Sequence, residues 1–358
     1  MRIVVTAGGT MGHINPALAI IEEFKKKEKD LEVLYIGTHN RMEKDVIPKK
    51  NIRYESIEIY GFTKNILNDF KDLVLISKAI KKCKEIFKEF RPDVVIGVGG
   101  YVTYPVIKAA HQMHIKTFIH EQNSIPGKAN KMIAKYADVI GLTFLESKKH
   151  LKTKGKIVYT GHPCGAWALN IPKKDKESLG FTKGKKLVTI VAGSLGSGSL
   201  NQKMKEYLQS IGKKNYEICY ITGKAHYEDF TKESYAPNVK VFPYMEDLPG
   251  LLKTSDLVIS RAGAGSLSEI LALEIPSIII PSPNVANNHQ YFNAKELADK
   301  NCICLFEEKE ITTEKILALV DQMLSDTAKR LRMIHAMHSL DTKNSAEVIY
   351  NEIKELVS

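Results

Sequence analysis

The stretch from Asp256 to Ala294, DLVISRAGAGSLSEILALEIPSIIIPSPNVANNHQYFNA, decides the fold. Leu257–Ser260 is a short apolar run, the pattern of a strand buried on both faces. Arg261, Gly263 and Gly265 then punctuate a turn, and a helix is expected to begin near Ser266. A second apolar strand, Ser277–Ile280, ends at Pro281 and gives way to a loop rich in amides. Such a turn leaves unpaired backbone N–H groups at a helix N-terminus, a site suited to phosphate. Glu269 lies one turn inside that helix, where a carboxylate accepts hydrogen bonds from a ribose diol. Gln290 carries a donor and an acceptor on one amide, suited to a sugar hydroxyl. Nucleotide-sugar binding explains the set; a plain α/β turn explains only its glycines.

Working outward, strand-like runs alternate with helical periodicity along the chain. Ile3–Thr6, Val33–Ile36, Val94–Val98, Thr117–Ile119 and Val139–Leu142 come first. After a break around Gly161–Lys186, rich in Gly, Pro and Lys, the alternation restarts. Leu187–Val191, Ile218–Thr222, Val239–Phe242, Leu257–Ser260 and Ser277–Ile280 follow. Repeated βαβ units predict an α/β protein of two doubly wound, Rossmann-like domains joined near Gly161–Pro163, with ligands in an inter-domain cleft.

The 358 residues suffice for two cores, and 44% hydrophobic with 26% charged residues is a globular composition. No apolar run reaches the ~20 residues of a membrane span, and the opening MRIVVTAGGT enters a strand and turn rather than a signal peptide. Five scattered cysteines without CxxC pairing suit a reduced, cytoplasmic setting. A net charge of +11 asks for an acidic partner: nucleic acid, anionic lipid or an anionic substrate. Lysine-rich solvated helix faces such as Lys25–Lys27 and Lys81–Lys84 account for part of it.

Three further turns resemble the first. AGGTMGHINPALAI places Gly8, Gly9, Thr10, Met11 and Gly12 after a strand, with a helix starting around His13 to Pro16. Its spacing is not GxGxxG, and no clear acidic residue closes Val33–Ile36, so NAD is disfavoured. The glycines fit a phosphate approaching the backbone; His13 at the mouth suits a general base or a hydrogen-bond donor to phosphate. GVGGYVTYP brings Gly99, Gly100 and Tyr101 to a strand end, and HEQNSIPGKANK places Glu121 and Asn123 toward the cleft. VAGSLGSGSLNQ offers Gly193, Ser194 and Gly196 before a helix from about Leu200.

Taken in order, GGTxGH (Gly8–His13), GVGGYV (Gly97–Val102), HEQN (His120–Asn123), GSLG around Ser194, SRAGAGSLSE and NHQYFNA resemble the MurG family. These are N-acetylglucosaminyltransferases that convert lipid I to lipid II, and the similarity covers nearly the whole chain. HEQN together with the GGY turn is the specific part. The resemblance implies the GT-B fold and an inverting, metal-independent transfer without a cofactor; the chain has no DxD pair to hold a divalent ion. It implies an acceptor- and membrane-binding domain over 1–162 plus a C-terminal helix 342–358, and a donor domain over 163–341.

By the same resemblance, UDP-N-acetylglucosamine meets Ser194 at its diphosphate and the backbone around Met245 at its uracil. Arg261 and the turn Ala264, Gly265, Ser266, Leu267 and Ser268 serve phosphate and sugar, Glu269 the ribose, and Gln290 the sugar hydroxyls. Thr10, His13 and Asn123 reach the sugar, with Met11 and Gly12 among the substrate-binding residues; the Gly8–Gly12 turn with Gly99, Gly100 and Tyr101 holds the pyrophosphate of lipid I. His13 is the first candidate base and Glu121 the second. Two positions depart from the pattern: Met11 stands for a glycine, and Gly165, in GHPCGAWAL, stands where an arginine is expected to meet the donor. Arg261 or Lys224 is a candidate to supply that charge.

Competing functions are a hexose transfer to diacylglycerol or another lipid, a UDP-N-acetylglucosamine 2-epimerase, and a catalytically silent nucleotide-sugar subunit. HEQN and the GGY turn favour transfer to lipid I. Such an acceptor places the protein peripherally on the cytoplasmic face of the cell membrane. Within Lys64–Lys84, Ile66, Leu67, Phe70, Leu73, Val74 and Ile76 recur at helical spacing among Lys71, Lys78, Lys81 and Lys82. That suits an interfacial helix on anionic lipid and accounts for charge without nucleic acid.

Overall fold

In a computed structural model the structure describes residues 1–60, 66–193, 197–340 and 344–358, the side chains of 66–72 excepted. The chain divides into two compact units, Met1–Cys164 with Asn344–Ser358, and Gly165–Lys343. The sequence division at 162/163 and 341/342 falls two residues earlier at each crossing.

The first unit holds seven parallel strands: β1 (Arg2–Ala7), β2 (Glu32–Thr38), β3 (Arg53–Ile57), β4 (Val94–Gly99), β5 (Lys116–Glu121), β6 (Val139–Leu142) and β7 (Lys156–Tyr159). Their order is β3-β2-β1-β4-β5-β6-β7, so the winding reverses between β1 and β4. Alternate side chains feed two cores. Val4, Leu34, Ile36 and Val95 pack with Cys83, Ile86, Phe87 and Val106. Ile3, Val5, Tyr35 and Ile96 pack with Ile14, Ile21 and Phe24 of the Met11–Lys27 helix. The period-two alternation is what lets a parallel sheet bury both faces.

The C-terminal helix Ser345–Val357 belongs to this second core. Ile349 and Ile353, one turn apart, are fully buried in it. Each contributes roughly 1.5–3 kcal/mol by leaving water. Lys354 Nζ and the Tyr350 hydroxyl both donate to Glu28 Oε1, at 2.8 and 2.6 Å, and Lys27 pairs with Glu347 at 2.5 Å.

The second unit holds six parallel strands: β8 (Lys186–Val191), β9 (Tyr216–Ile221), β10 (Val239–Phe242), β11 (Leu257–Ser260), β12 (Ser277–Ile279) and β13 (Cys304–Leu305). Their order, β10-β9-β8-β11-β12-β13, reverses between β8 and β11. In such sheets the reversal opens a crevice at the strands' carboxyl ends, where ligands bind.

Three strands had no sequence signal. β3, β7 and β13 close the sheets or lie at their edges, and none is a continuous buried run. The helices after the glycine turns begin earlier than the sequence suggests, at Met11, Gly198 and Ala264. Thr10, Ser197 and Gly263 are their N-caps, so Gly12, Gly198 and Gly265 sit inside the first turn rather than before it.

Candidate active site

In the first unit the carboxyl ends of β1, β4 and β5 meet around a pocket of about 270 Å³. His13, Gly99, Gly100, Tyr101, Glu121 and Asn123 line it, with Lys128 and Asn130. The glycine turns pack directly on each other: Gly8 N donates to Gly99 O at 3.2 Å. A Cβ on Gly100, whose φ is +87°, would run into Gly8 O, so only glycine permits this approach.

His13 Nδ1 lies 3.1 Å from Gly8 O. A carbonyl only accepts, so Nδ1 carries the proton and Nε2 is the basic nitrogen of the neutral ring. The ring lies flush on Gly99, where a Cβ would stand 2.9 Å from Nε2. The backbone thus selects the tautomer a general base requires.

The glycine loop itself offers less to an anion than its composition suggests. Gly8 N is bonded to Gly99 O, and Gly9 N donates to Glu43 Oε2 at 3.1 Å. The N–H groups left for a phosphate are those of the first helical turn, Met11 and Gly12 with them, behind the exposed Thr10 cap. Met11 packs against the core beneath, so its side chain does not fill that turn.

The HEQN segment is mostly architecture. Gln122 Nε2 donates to Val98 O at 2.7 Å and to His120 O at 3.0 Å. His120 Nε2 donates to Gly161 O at 2.9 Å, and burial pushes this imidazole down to about 4. Glu121 is buried, and each of its oxygens accepts two hydrogen bonds. Oε1 takes the Asn123 N–H at 2.9 Å and Nδ2 at 3.3 Å; Oε2 takes Gly127 N–H at 3.1 Å and Asn130 Nδ2 at 2.8 Å. Burial raises its pKa while these donors oppose the shift. Glu121 therefore holds the loop; taking a substrate proton would cost it those bonds. Asn123 is the member that the loop presents, half-buried, at the pocket.

In the second unit the helix Ala264–Ala272 starts behind β11, capped by Gly263 without a side-chain hydrogen bond. Its first-turn N–H groups, on Ala264, Gly265 and Ser266, have no intrahelical acceptor. Leu267 is fully buried and the Ser268 hydroxyl donates to Gly265 O at 2.7 Å, so both serve the helix with their side chains. Glu269 is half-buried, and desolvation by the surrounding protein pushes its carboxyl up to about 7.

Gln290 Oε1 accepts from Ala262 N at 3.3 Å and from Ser282 N at 2.9 Å, tying the ends of β11 and β12 together. Two backbone donors identify that atom as the oxygen, so the amide meets a sugar hydroxyl only as a donor. Met245 packs its side chain into a core with Phe181, Cys219 and Leu251, leaving only backbone to a base.

Arg261 has partners of its own within the protein. Its guanidinium is buried, donates to Ile280 O and Pro281 O at 3.2 Å, and pairs with buried Glu308 at 2.5 Å. Nη2 also donates to Ser197 Oγ at 2.5 Å. Its charge is already matched and it braces the loop before the Gly198–Ser210 helix. Lys224, exposed with Nζ 5.0 Å from the Tyr244 ring centre, is the remaining candidate to face the diphosphate. Gly165 has a packing reason: a Cβ there would lie 2.9 Å from Ser268 O, so the Pro163–Asn170 helix and the Ala264–Ala272 helix meet too closely for an arginine.

Ser194 and Gly196 lie outside the described residues, as do the side chains of Ile66 and Phe70. On the same Ile66–Phe90 helix, Leu73 is 63% exposed, and Lys81 and Lys82 are exposed. No described helix is long and apolar enough to cross a membrane, and no three His, Cys, Asp or Glu side chains cluster as metal ligands among the described residues. The sequence reading missed Glu43, Thr38 and Asn130. Their one signal is the acidic Glu43 soon after the carboxyl end of β2.

Two parallel α/β units, each with a helix N-terminus at its switch point, have the architecture of the GT-B fold, and the family matches make this one a glycosyltransferase. Residues 3–142 match the glycosyltransferase family 28 N-terminal domain, and 187–350 match the C-terminal domain of that family. A UDP-N-acetylglucosamine--N-acetylmuramyl-(pentapeptide) pyrophosphoryl-undecaprenol N-acetylglucosamine transferase of Bacillus licheniformis is 41% identical, covering 99% of both chains. The crystal structure of Acinetobacter baumannii MurG superposes with a TM-score of 0.79 at 25% identity over 99% of both chains. A putative UDP-N-acetylglucosamine 2-epimerase from Listeria monocytogenes, 14% identical with a TM-score of 0.72, covers 99% of this chain and 96% of its own, and shares the fold. The chain belongs to glycosyltransferase family 28 and, within it, to the MurG family.

Proposed function

We propose that this protein transfers N-acetylglucosamine from UDP-N-acetylglucosamine to the C4 hydroxyl of the muramyl residue of lipid I, giving lipid II for peptidoglycan synthesis. The full-length likeness to transferases of that name supports the reaction. The observation that carries the mechanism is the His13 tautomer: Gly8 O takes the Nδ1 proton, so Nε2 is basic at the wall of the first unit's pocket. His13 takes the proton of the acceptor hydroxyl as it attacks the anomeric carbon. Asn123 orients the sugar, and Glu121 holds Asn123 in place. Gly99, Gly100 and Tyr101 with the first turn of the Met11–Lys27 helix receive the acceptor's pyrophosphate.

The second unit binds the donor. The N–H groups of Ala264, Gly265 and Ser266 stabilise the departing diphosphate together with Ser194 and Lys224. Glu269 accepts from the ribose hydroxyls, Gln290 donates to a sugar hydroxyl, and backbone near Met245 reads the uracil. Arg261 shapes this site from beneath. The protein works peripherally on the cytoplasmic face of the membrane, on anionic lipid, through the Ile66–Phe90 helix and without nucleic acid. UDP release from UDP-N-acetylglucosamine, measured with and without lipid I, tests the reaction. Release only with lipid I is expected; acceptor-independent conversion of the sugar to an epimer, or no UDP at all, would refute it.

A further inference from the structure

The turn after β2 carries two charged residues with different surroundings. Glu43 is fully buried; Oε1 accepts from the Thr38 N–H at 3.1 Å and hydroxyl at 2.7 Å, and Oε2 accepts from Gly9 N at 3.1 Å. These bonds fasten the turn to the first glycine loop. Arg41, two residues earlier, is exposed and forms no ion pair among the described residues. Its Nε donates to the Tyr101 hydroxyl at 3.2 Å, and Tyr101 lines the pocket that holds His13, Gly99 and Gly100.

An exposed arginine ordinarily samples many rotamers. Held by Nε, this one keeps both Nη groups as a fork, the geometry that matches phosphate oxygens. The charge balance calls for such a group. Glu43 places a buried carboxylate beside the helix N-terminus and engages the Gly9 N–H, which lowers what the glycine loop offers an anion. A diphosphate bound there needs cations: Lys128 lines the pocket, and Arg41 is held beside it through the Tyr101 hydroxyl.

We propose that Arg41 is a cation that binds the acceptor's diphosphate, with Tyr101 as its tether and Glu43 as the anchor of its turn. This rests on the acceptor assignment of the first unit. Full-length Arg41→Ala is expected to raise the lipid I KM about tenfold or more, while kcat and the donor KM stay within about twofold. Arg41→Lys keeps charge without the fork and falls between; Tyr101→Phe frees the guanidinium and gives a smaller rise. Inorganic pyrophosphate, titrated calorimetrically with saturating UDP occupying the donor site, should bind wild type and bind Arg41→Ala about tenfold more weakly. An unchanged lipid I KM or unchanged pyrophosphate affinity in Arg41→Ala overturns the proposal. If wild type transfers no sugar to lipid I, the acceptor assignment falls instead, and the pyrophosphate titration still decides Arg41.

Discussion

Glu43 Oε2 accepts the Gly9 N–H at 3.1 Å, so a buried carboxylate 34 residues away holds the first glycine turn. Gly8 belongs to the same contact, since a Cβ there would stand 2.6 Å from Glu43 Oε1. Glu43→Gln should destabilise the protein, because the new amide NH2 turns donors toward the Gly9 N–H or the Thr38 donors. Unsatisfied buried groups cost about 1–3 kcal/mol, and each kcal/mol lowers Tm by roughly 2–4 °C in a unit of this size. Calorimetry showing an unshifted Tm would mean the turn is held by something else.

His13→Ala should lower kcat by about 10²–10⁴-fold, the usual scale for a lost general base. The loss should appear in kcat with both substrates saturating, because the proton is taken in the reaction step itself. Near-normal turnover at saturating substrates would exclude the base role. Gly99→Ala is the companion variant: its Cβ would press on the His13 ring at a φ of +116°. It should therefore impair turnover although it removes no functional group.

Glu269, if it binds the ribose as proposed, should make donor binding pH-dependent. Burial raises its carboxyl to about 7 from the ordinary 4.5. Between those values the unfolded chain is ionised while the folded one keeps its proton, so this group's contribution to stability falls as pH rises through that window. Only the ionised form accepts from both ribose hydroxyls. UDP affinity should therefore rise with pH toward about 7 and then level, with proton release on binding near pH 6–7. Titration in buffers of different ionisation enthalpy reads that proton. Glu269→Gln should abolish the pH dependence, and Glu269→Ala should weaken UDP by ~1.5–3 kcal/mol. A pH-flat wild-type affinity would remove the ribose assignment.

The central strands were legible because burial on both faces writes itself as apolar runs, as in Ile3–Thr6 and Leu257–Ser260. β3, RYESI, was not, because an edge strand has less to bury. The turns were visible from their glycines, yet which N–H groups remain open was not. That depends on Glu43 and on the contact between Gly8 and Gly99, both long-range. The Arg261 ion pair was hidden for the same reason: its partner Glu308 lies 47 residues on, across β12 and β13, and no local pattern announces the pair. HEQN directed Glu121 and Asn123 to the cleft; in the fold Glu121, like His120 and Gln122, has its hydrogen bonds inside the protein, and Asn123 alone of the four is half-buried at the pocket.

The Ile66–Phe90 helix divides along its length into a packed part and an open part. Ala79, Cys83, Ile86, Phe87 and Phe90 are buried in the first unit's core, which accounts for the apolar residues of the later turns without a membrane. Leu73 and Val74, 63% and 41% exposed, have no such role, and Lys78, Lys81 and Lys82 are exposed on the following turns. An apolar end followed by lysines suits insertion into a headgroup region, with each lysine adding about 1 kcal/mol on anionic lipid, screened by salt. Sedimentation with anionic vesicles should therefore show binding that weakens as salt rises. Leu73→Ser with Val74→Ser should weaken it at every salt concentration, because the lost term is apolar. Lys81→Glu with Lys82→Glu should weaken it chiefly at low salt and flatten the salt dependence. Neutral vesicles should bind less than anionic ones. If both double variants sediment like wild type, this helix is not the membrane face, and its exposed leucine is an ordinary surface residue.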